Sequence, residues 1–155
     1  MTTKIFIHGL ESSNQGTKSV FFRKKFPDMI IPHFTGDLQE RMESLKEVLS
    51  GSTDIRLVGS SFGGLMATLF AMDNQDRVTS MVLLAPAINL LESGDFKTIS
   101  LPVHIYHGRG DLVLPLNEVE GAAKKIFTNL SFHKVDDDHF LHKTFETIDW
   151  DLLMA

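Results

Sequence analysis

Gly59-Ser60-Ser61-Phe62-Gly63 reads Gly-x-Ser-x-Gly, and its flanks decide how the chain folds. Ahead of it, Ile55-Arg56-Leu57-Val58 is short and apolar, as a buried strand is; behind it, Leu65, Met66, Leu69 and Phe70 recur at helical spacing. A strand running straight into a helix needs glycines, because a Cβ beside the turn would meet neighbouring backbone. Such a turn lifts one serine hydroxyl clear of the sheet and sets helix-start N–H groups beside it. Ser61 is the middle residue of the motif. Ser60 is a second hydroxyl that supports the turn.

Outward from this elbow, short apolar runs alternate with amphipathic ones, the pattern of a βαβ protein. Lys4 to Ile7 reads as the first strand and ends at His8-Gly9; a helix over Lys18 to Phe26 stops at Pro27. Met29 to Pro32 reads as a second strand, and Asp37 with Glu40 forms a capping box for a helix carrying Leu38, Met42, Leu45 and Leu49 on one face. Asp54–Val58, Ser80–Leu84, Val103–His107 and Leu130–Val135 supply four more strands. A helix over Asn117–Phe127 precedes the last strand, and Phe140 to Met154 reads as a closing helix with Leu141, Phe145, Ile148 and Leu152 inward. The strands lack clean alternation, so helices cover both faces. The expected architecture is a three-layer α/β/α fold, with a mostly parallel sheet of about six strands in one domain over residues 1–155.

Bulk properties exclude several functions. With 155 residues, a domain can bury about 70% of its unfolded surface. Twelve of its aromatic residues are Phe, so most aromatic surface carries no polar atom and belongs in a core. A formal net charge of -5 without a Lys/Arg cluster excludes a nucleic-acid footprint and an anionic membrane surface as partner. No cysteine is present, which removes disulfides, zinc-thiolate sites and thiol nucleophiles. The N-terminus lacks the basic flank and apolar run of a signal peptide, and a cytoplasmic location is expected.

Acyl transfer by serine needs a nucleophile, a base and a group that orients the base. The nucleophile is Ser61. Asp111 follows the strand ending at His107, in Gly108-Arg109-Gly110-Asp111, and His139 follows the last strand, in Asp136-Asp137-Asp138-His139-Phe140. The order Ser, Asp, His is that of a triad built on such a sheet. Three further acids compete with Asp111, although Asp136, Asp137 and Asp138 otherwise read as a solvated loop. His142 is the alternative to His139, but a helical continuation would carry it one turn further on. His104 and His107 read as packing or hydrogen-bonding residues and His133 as solvent-facing. No metal site is expected, since no His-x-x-x-His or comparable spacing occurs.

The chain resembles the α/β-hydrolases, in particular the small capless bacterial serine esterases. The residues that carry the resemblance are His8-Gly9-Leu10, Gly59 to Gly64, Gly108-Arg109-Gly110-Asp111 with Val113 and Pro115, and His139-Phe140. The resemblance implies Ser61 as nucleophile, His139 as general base then acid, and Asp111 as orienting carboxylate. It also implies an oxyanion hole from the backbone N–H groups of Leu10 and Phe62. His8 braces the loop that carries Leu10. Glu11, His33, Phe34 and Val113 are candidates for the substrate pocket, and the loops 10–16, 33–36, 87–96 and 112–116 supply its walls. Relative to the full-size family, two strands ahead of His8-Gly9 are absent, and residues 87–101 are too few for a cap. The function expected is cleavage of a small-molecule ester or thioester through an acyl-enzyme, without a cofactor. A silent binding module on the same scaffold, or an amidase or aminopeptidase, is the alternative.

Overall fold

A computed structural model describes residues 1–155 except Ser93 and Asp95. Five strands, β1 (Thr3–Ile7), β2 (Ile55–Ser60), β3 (Val78–Leu84), β4 (Val103–Gly108) and β5 (Leu130–Val135), form one sheet in the order β1-β2-β3-β4-β5. Every neighbouring pair is parallel. The sixth expected strand is reduced to one parallel bridge, Ile30 against Ile5, outside β1. There Ile30 N–H donates to the Lys4 carbonyl and Phe6 N–H to the Ile30 carbonyl. Pro32 has no N–H with which to extend that ladder.

Helices α1 (Thr17–Lys25), α2 (Leu38–Val48), α3 (Phe62–Asp73) and α4 (Leu116–Ile126) alternate with the strands, and a short α5 (Trp150–Leu153) closes the chain. The expected capping box forms at α2: Asp37 accepts from Glu40 N–H, and the Glu40 carboxylate accepts from Asp37 N–H. Two cores flank the sheet. On one face Ile5, Ile7, Leu57, Leu83 and Ile105 pack with Leu45 of α2, Met66 and Phe70 of α3, and Val119 of α4. On the other, Phe6, Val58, Val82 and Leu84 pack with Phe22 of α1 and with Phe145, Trp150 and Met154. Alternate residues of each strand therefore serve opposite layers, which is why the strands read as continuous apolar runs.

The chain leaves β1 along α1, reaches Ile30 outside β1, and returns along α2 to β2 on the other side. This reversal is a topological switch point, and the crevice beyond the strand ends there is where an open parallel sheet takes its ligand. His8-Gly9 and Ser61 lie at its two sides. Between β3 and β4, the described residues hold a 3₁₀ turn, Ile88–Leu90, and a single parallel bridge from Ile99 to Phe127, and no cap.

The closing segment departs from the expected helix. Residues 140–154 form turns, a 3₁₀ turn at Phe145–Thr147 and only four residues of α-helix. Aspartate side chains take the N–H groups at the start of this segment, and those on Asp137, from Lys143 and Thr144, are ones that a helix would use. Asp138 accepts from Phe140 and His142, Asp137 accepts from Lys143 and Thr144, and Leu141 is forced to φ 56°. Trp150 and Met154 are buried in consequence, and Leu152, expected inward, is exposed.

Candidate active site

Ser61 sits between β2 and α3 with φ 55° and ψ -116°, a conformation that costs a non-glycine residue about 1–3 kcal/mol. Its backbone is held there from both sides. Ser61 N–H donates to the Leu84 carbonyl at 2.9 Å, and the Ser61 carbonyl accepts from Gly64 and Ala87, both at 2.9 Å. A serine before a helix usually turns its hydroxyl onto the first N–H groups. Here Ser61 makes no such cap, and its Oγ lies 3.1 Å from His139 Nε2 instead.

The elbow glycines are required by close approach. A Cβ on Gly63 would lie 2.0 Å from the Ile7 carbonyl oxygen, so this turn of α3 rests directly on the end of β1. On Gly64 it would meet Pro86 at 2.6 Å, so that glycine seats the helix against the segment leaving β3.

His139 Nδ1 lies 2.7 Å from Asp111 Oδ2. A carboxylate oxygen accepts, so Nδ1 carries the proton and the Nε2 lone pair faces Ser61. The other carboxylate oxygen, Oδ1, accepts from Val113 N–H and Leu114 N–H, each at 2.8 Å. The Asp111 side chain is wholly buried and that of His139 is 11% exposed, so the pair is shielded while the imidazole edge reaches the surface.

The loop after β1 lies against the elbow. A Cβ on Gly9 would be 3.3 Å from Ser61 Cβ and 3.9 Å from Phe62 N. Buried His8 fixes this loop by donating from Nδ1 to the Gly9 carbonyl at 2.7 Å and accepting at Nε2 from Phe34 N–H at 2.9 Å. Burial holds the His8 pKa below the ordinary imidazole value, against the opposing effect of the Gly9 carbonyl. That agrees with a neutral ring that both donates and accepts. Among the described residues, no turn, loop or side-chain acceptor takes the N–H of Leu10 or of Phe62.

A family model described as the α/β-hydrolase fold matches residues 32–100, which include the elbow and stop short of Asp111 and His139. No curated protein matches the chain. Among solved structures, Est1E from Butyrivibrio proteoclasticus with bound ferulic acid superposes with a TM-score of 0.74 at 18% identity, covering 95% of this chain and 84% of that one. An alpha-beta serine hydrolase homologue from Coxiella burnetii gives 0.74 at 18% identity, with coverage of 99% and 83%. Mouse alpha/beta hydrolase domain-containing protein 10 gives 0.70 at 16%, with coverage of 89% and 82%. The protein has the α/β-hydrolase fold.

Within this hydrolase fold the residues singled out in the sequence fall into two groups. Ser61, His139 and Asp111 form one hydrogen-bonded chain, with Gly9, the residue before Leu10, against Ser61 and Phe62. Of the pocket candidates, Glu11 and Val113 are exposed. Val113 also supplies one of the N–H groups on Asp111. His33 is exposed and stacks on His8 at 5.4 Å. Phe34 is 1% exposed and packs into the core under α2 and α3, so its ring belongs to the core and not to the pocket rim. Leu112 and Val113 beside Asp111, and Phe140 beside His139, leave large apolar side chains exposed, as does Leu10 next to Gly9. In the expected wall 87–96, Ser93 and Asp95 lie outside the described residues.

The aspartates before His139 differ from one another. Asp137 is buried and has a structural part: Oδ1 accepts from Asp138 N–H at 2.8 Å, and Oδ2 accepts from Lys143 and Thr144. Burial pushes its pKa up, yet these hydrogen bonds outweigh it and hold the carboxyl below its ordinary value. Asp138 pairs instead with exposed His142, at 2.6 Å. His133, expected to face solvent, is half-buried; its ring stacks on Tyr106 and shares a 3.1 Å hydrogen bond with His104. His107 is wholly buried beside Asp111. Among the described residues, no group of three or more His, Asp or Glu could hold a metal ion, and no helix is long and apolar enough to cross a membrane.

Proposed function

We propose that the protein is a serine carboxylesterase acting on small carboxylic esters, with thioesters as the chemically adjacent substrates. The observation that carries this reading is the chain Ser61 Oγ–His139–Asp111, with contacts of 3.1 and 2.7 Å and the imidazole lone pair toward the serine. Ser61 Oγ attacks the carbonyl carbon and passes its proton to His139 Nε2. The carbonyl oxygen gains negative charge and accepts from the Leu10 and Phe62 N–H groups, each such donor being worth about 3–4 kcal/mol. His139 then protonates the leaving alcohol or thiol. Water attacks the acyl-Ser61 with His139 again as base, and release of the acid restores the serine.

The uncapped rim of Leu10, Leu112, Val113 and Phe140 favours a neutral substrate with an apolar portion. The test is to mix the protein with p-nitrophenyl acetate, quench in acid and map the acetyl group by mass spectrometry. An acetylated peptide containing Ser61, with the adduct absent from Ser61→Ala, is expected. Turnover of the ester by the Ser61→Ala variant at the wild-type rate would overturn the mechanism.

A further inference from the structure

The triad leaves one titratable group beside it unexplained. His107, the residue before the last of β4, is completely buried, and its Nε2–H donates to the Leu114 carbonyl at 2.8 Å, with Asp111 Oδ2 3.3 Å away but outside hydrogen-bond geometry. Nδ1 is buried with no hydrogen-bond partner. The carbonyl acceptor on Nε2 assigns the proton there and leaves Nδ1 as a bare lone pair. Protonating Nδ1 would create a buried cation with an unpartnered donor. Burial, the largest influence on this ring, accordingly holds its pKa below the ordinary imidazole value.

The segment that His107 closes is the one that carries Asp111. Gly108 lies so close to the His139 loop that a Cβ there would be 2.4 Å from the Asp137 carbonyl oxygen. Arg109 N–H donates to the Val135 carbonyl and Gly110 N–H to the Asp137 carbonyl. These contacts fix the start of the turn, and its far end at Leu114 is fixed by the His107 imidazole. Asp111 Oδ1 is held by the Val113 and Leu114 N–H groups, so the residue whose carbonyl His107 holds is also one of the two donors on the carboxylate.

We propose that His107 is a positioning residue for the triad. Its neutral Nε2–H holds the Leu114 carbonyl, and with it the turn whose Val113 and Leu114 N–H groups grip Asp111 Oδ1, so the carboxylate keeps one rotamer and presents Oδ2 to His139 Nδ1. The inference rests on the serine-hydrolase reading of Ser61, and it concerns a residue that touches neither substrate nor Ser61.

The test compares the full-length protein with its His107→Gln and His107→Leu variants. Glutamine keeps an N–H donor near the position of Nε2, and leucine keeps bulk without a donor. For p-nitrophenyl acetate, kcat falls about tenfold in the leucine variant, the upper end for one hydrogen bond between neutral groups, while KM stays within about twofold. Glutamine restores kcat to within about threefold of wild type. The second readout needs no substrate: the far-downfield proton resonance of His139 Nδ1–H persists in wild type and glutamine, and moves upfield or exchanges away in leucine. If leucine prevents folding by circular dichroism, His107→Asn, whose shorter amide falls short of the Leu114 carbonyl, takes its place. Wild-type kcat with an unmoved resonance in the donor-less variant overturns the proposal. So does a glutamine variant as impaired as the leucine one, since that makes shape the determinant. Absence of ester turnover in wild type overturns the esterase reading instead, and the resonance still decides the role of His107.

Discussion

Replacing Asp111 by Asn changes one atom, and the surrounding hydrogen bonds dictate which way the new amide points. If the amide nitrogen took the place of Oδ1, it would face Val113 N–H and Leu114 N–H, both now 2.8 Å from that oxygen. Two buried donors would oppose a donor, at about 1–3 kcal/mol each. The amide oxygen therefore stays on the two N–H groups by about 2–6 kcal/mol, and the NH₂ turns to His139 Nδ1. His139 can meet it only as an acceptor at Nδ1, so its proton moves to Nε2 and the lone pair that faces Ser61 is lost. The expected result is a fall in kcat of about ten-thousandfold, the loss known for the same change in a serine protease, with KM nearly unchanged. The fold survives, with a melting temperature lower by about 3–8 °C as charged acceptors become neutral. Steady-state ester hydrolysis measures the rate, and ¹⁵N spectra of the imidazole report the tautomer. An Asn variant within tenfold of wild-type kcat, or one whose His139 keeps its proton on Nδ1, would refute this reasoning.

Gly63→Ala tests the seating of the elbow. Its Cβ, 2.0 Å from the Ile7 oxygen, forces α3 and β1 apart by about 1 Å, which separates Ser61 from the Leu10 loop. Activity falls about a hundredfold or more and stability by about 1–3 kcal/mol; full activity by ester assay would contradict the packing described. Acid stability follows from the buried histidines. His8, His104, His107 and His133 all have pKa values lowered from 6.5, chiefly by burial. Their contribution is complete above that value; as the pH falls below it the unfolded chain takes up protons that the folded one refuses, so stability falls. Urea melts at pH 7.5 and 5.5 check this: the midpoint drops on acidification, and drops less in His107→Gln. An equal drop in both proteins would remove His107 from the explanation.

The elbow, the order Ser61–Asp111–His139 and the role of His8 were legible because each lies at a strand end, where strand position fixes spatial position. The capping box at Asp37 is similarly local. What escaped the sequence depends on non-local partners. Asp137 reads like Asp136 and Asp138 until the turn beyond His139 folds back and delivers Lys143 and Thr144 N–H groups to it. His107 reads as a packing or hydrogen-bonding residue, and it is one, but nothing in Gly108 to Leu114 announces that its partner is a carbonyl returned by the turn. The spacing of Leu141, Phe145, Ile148 and Leu152 fits a helix, and side-chain competition for backbone N–H groups overrode that pattern. Phe34 follows a strand-end histidine like a pocket residue, yet its backbone N–H serves His8 while its ring fills the core.

Fluorophosphonate labelling of the purified protein, beside its Ser61→Ala and His139→Ala variants, tests the central claim most directly, since the probe reacts only with a serine activated by its neighbours. The account predicts one label on wild type, mapped to Ser61, and none on either folded variant. A folded wild-type protein that takes no label, or a label that survives in Ser61→Ala, would contradict it.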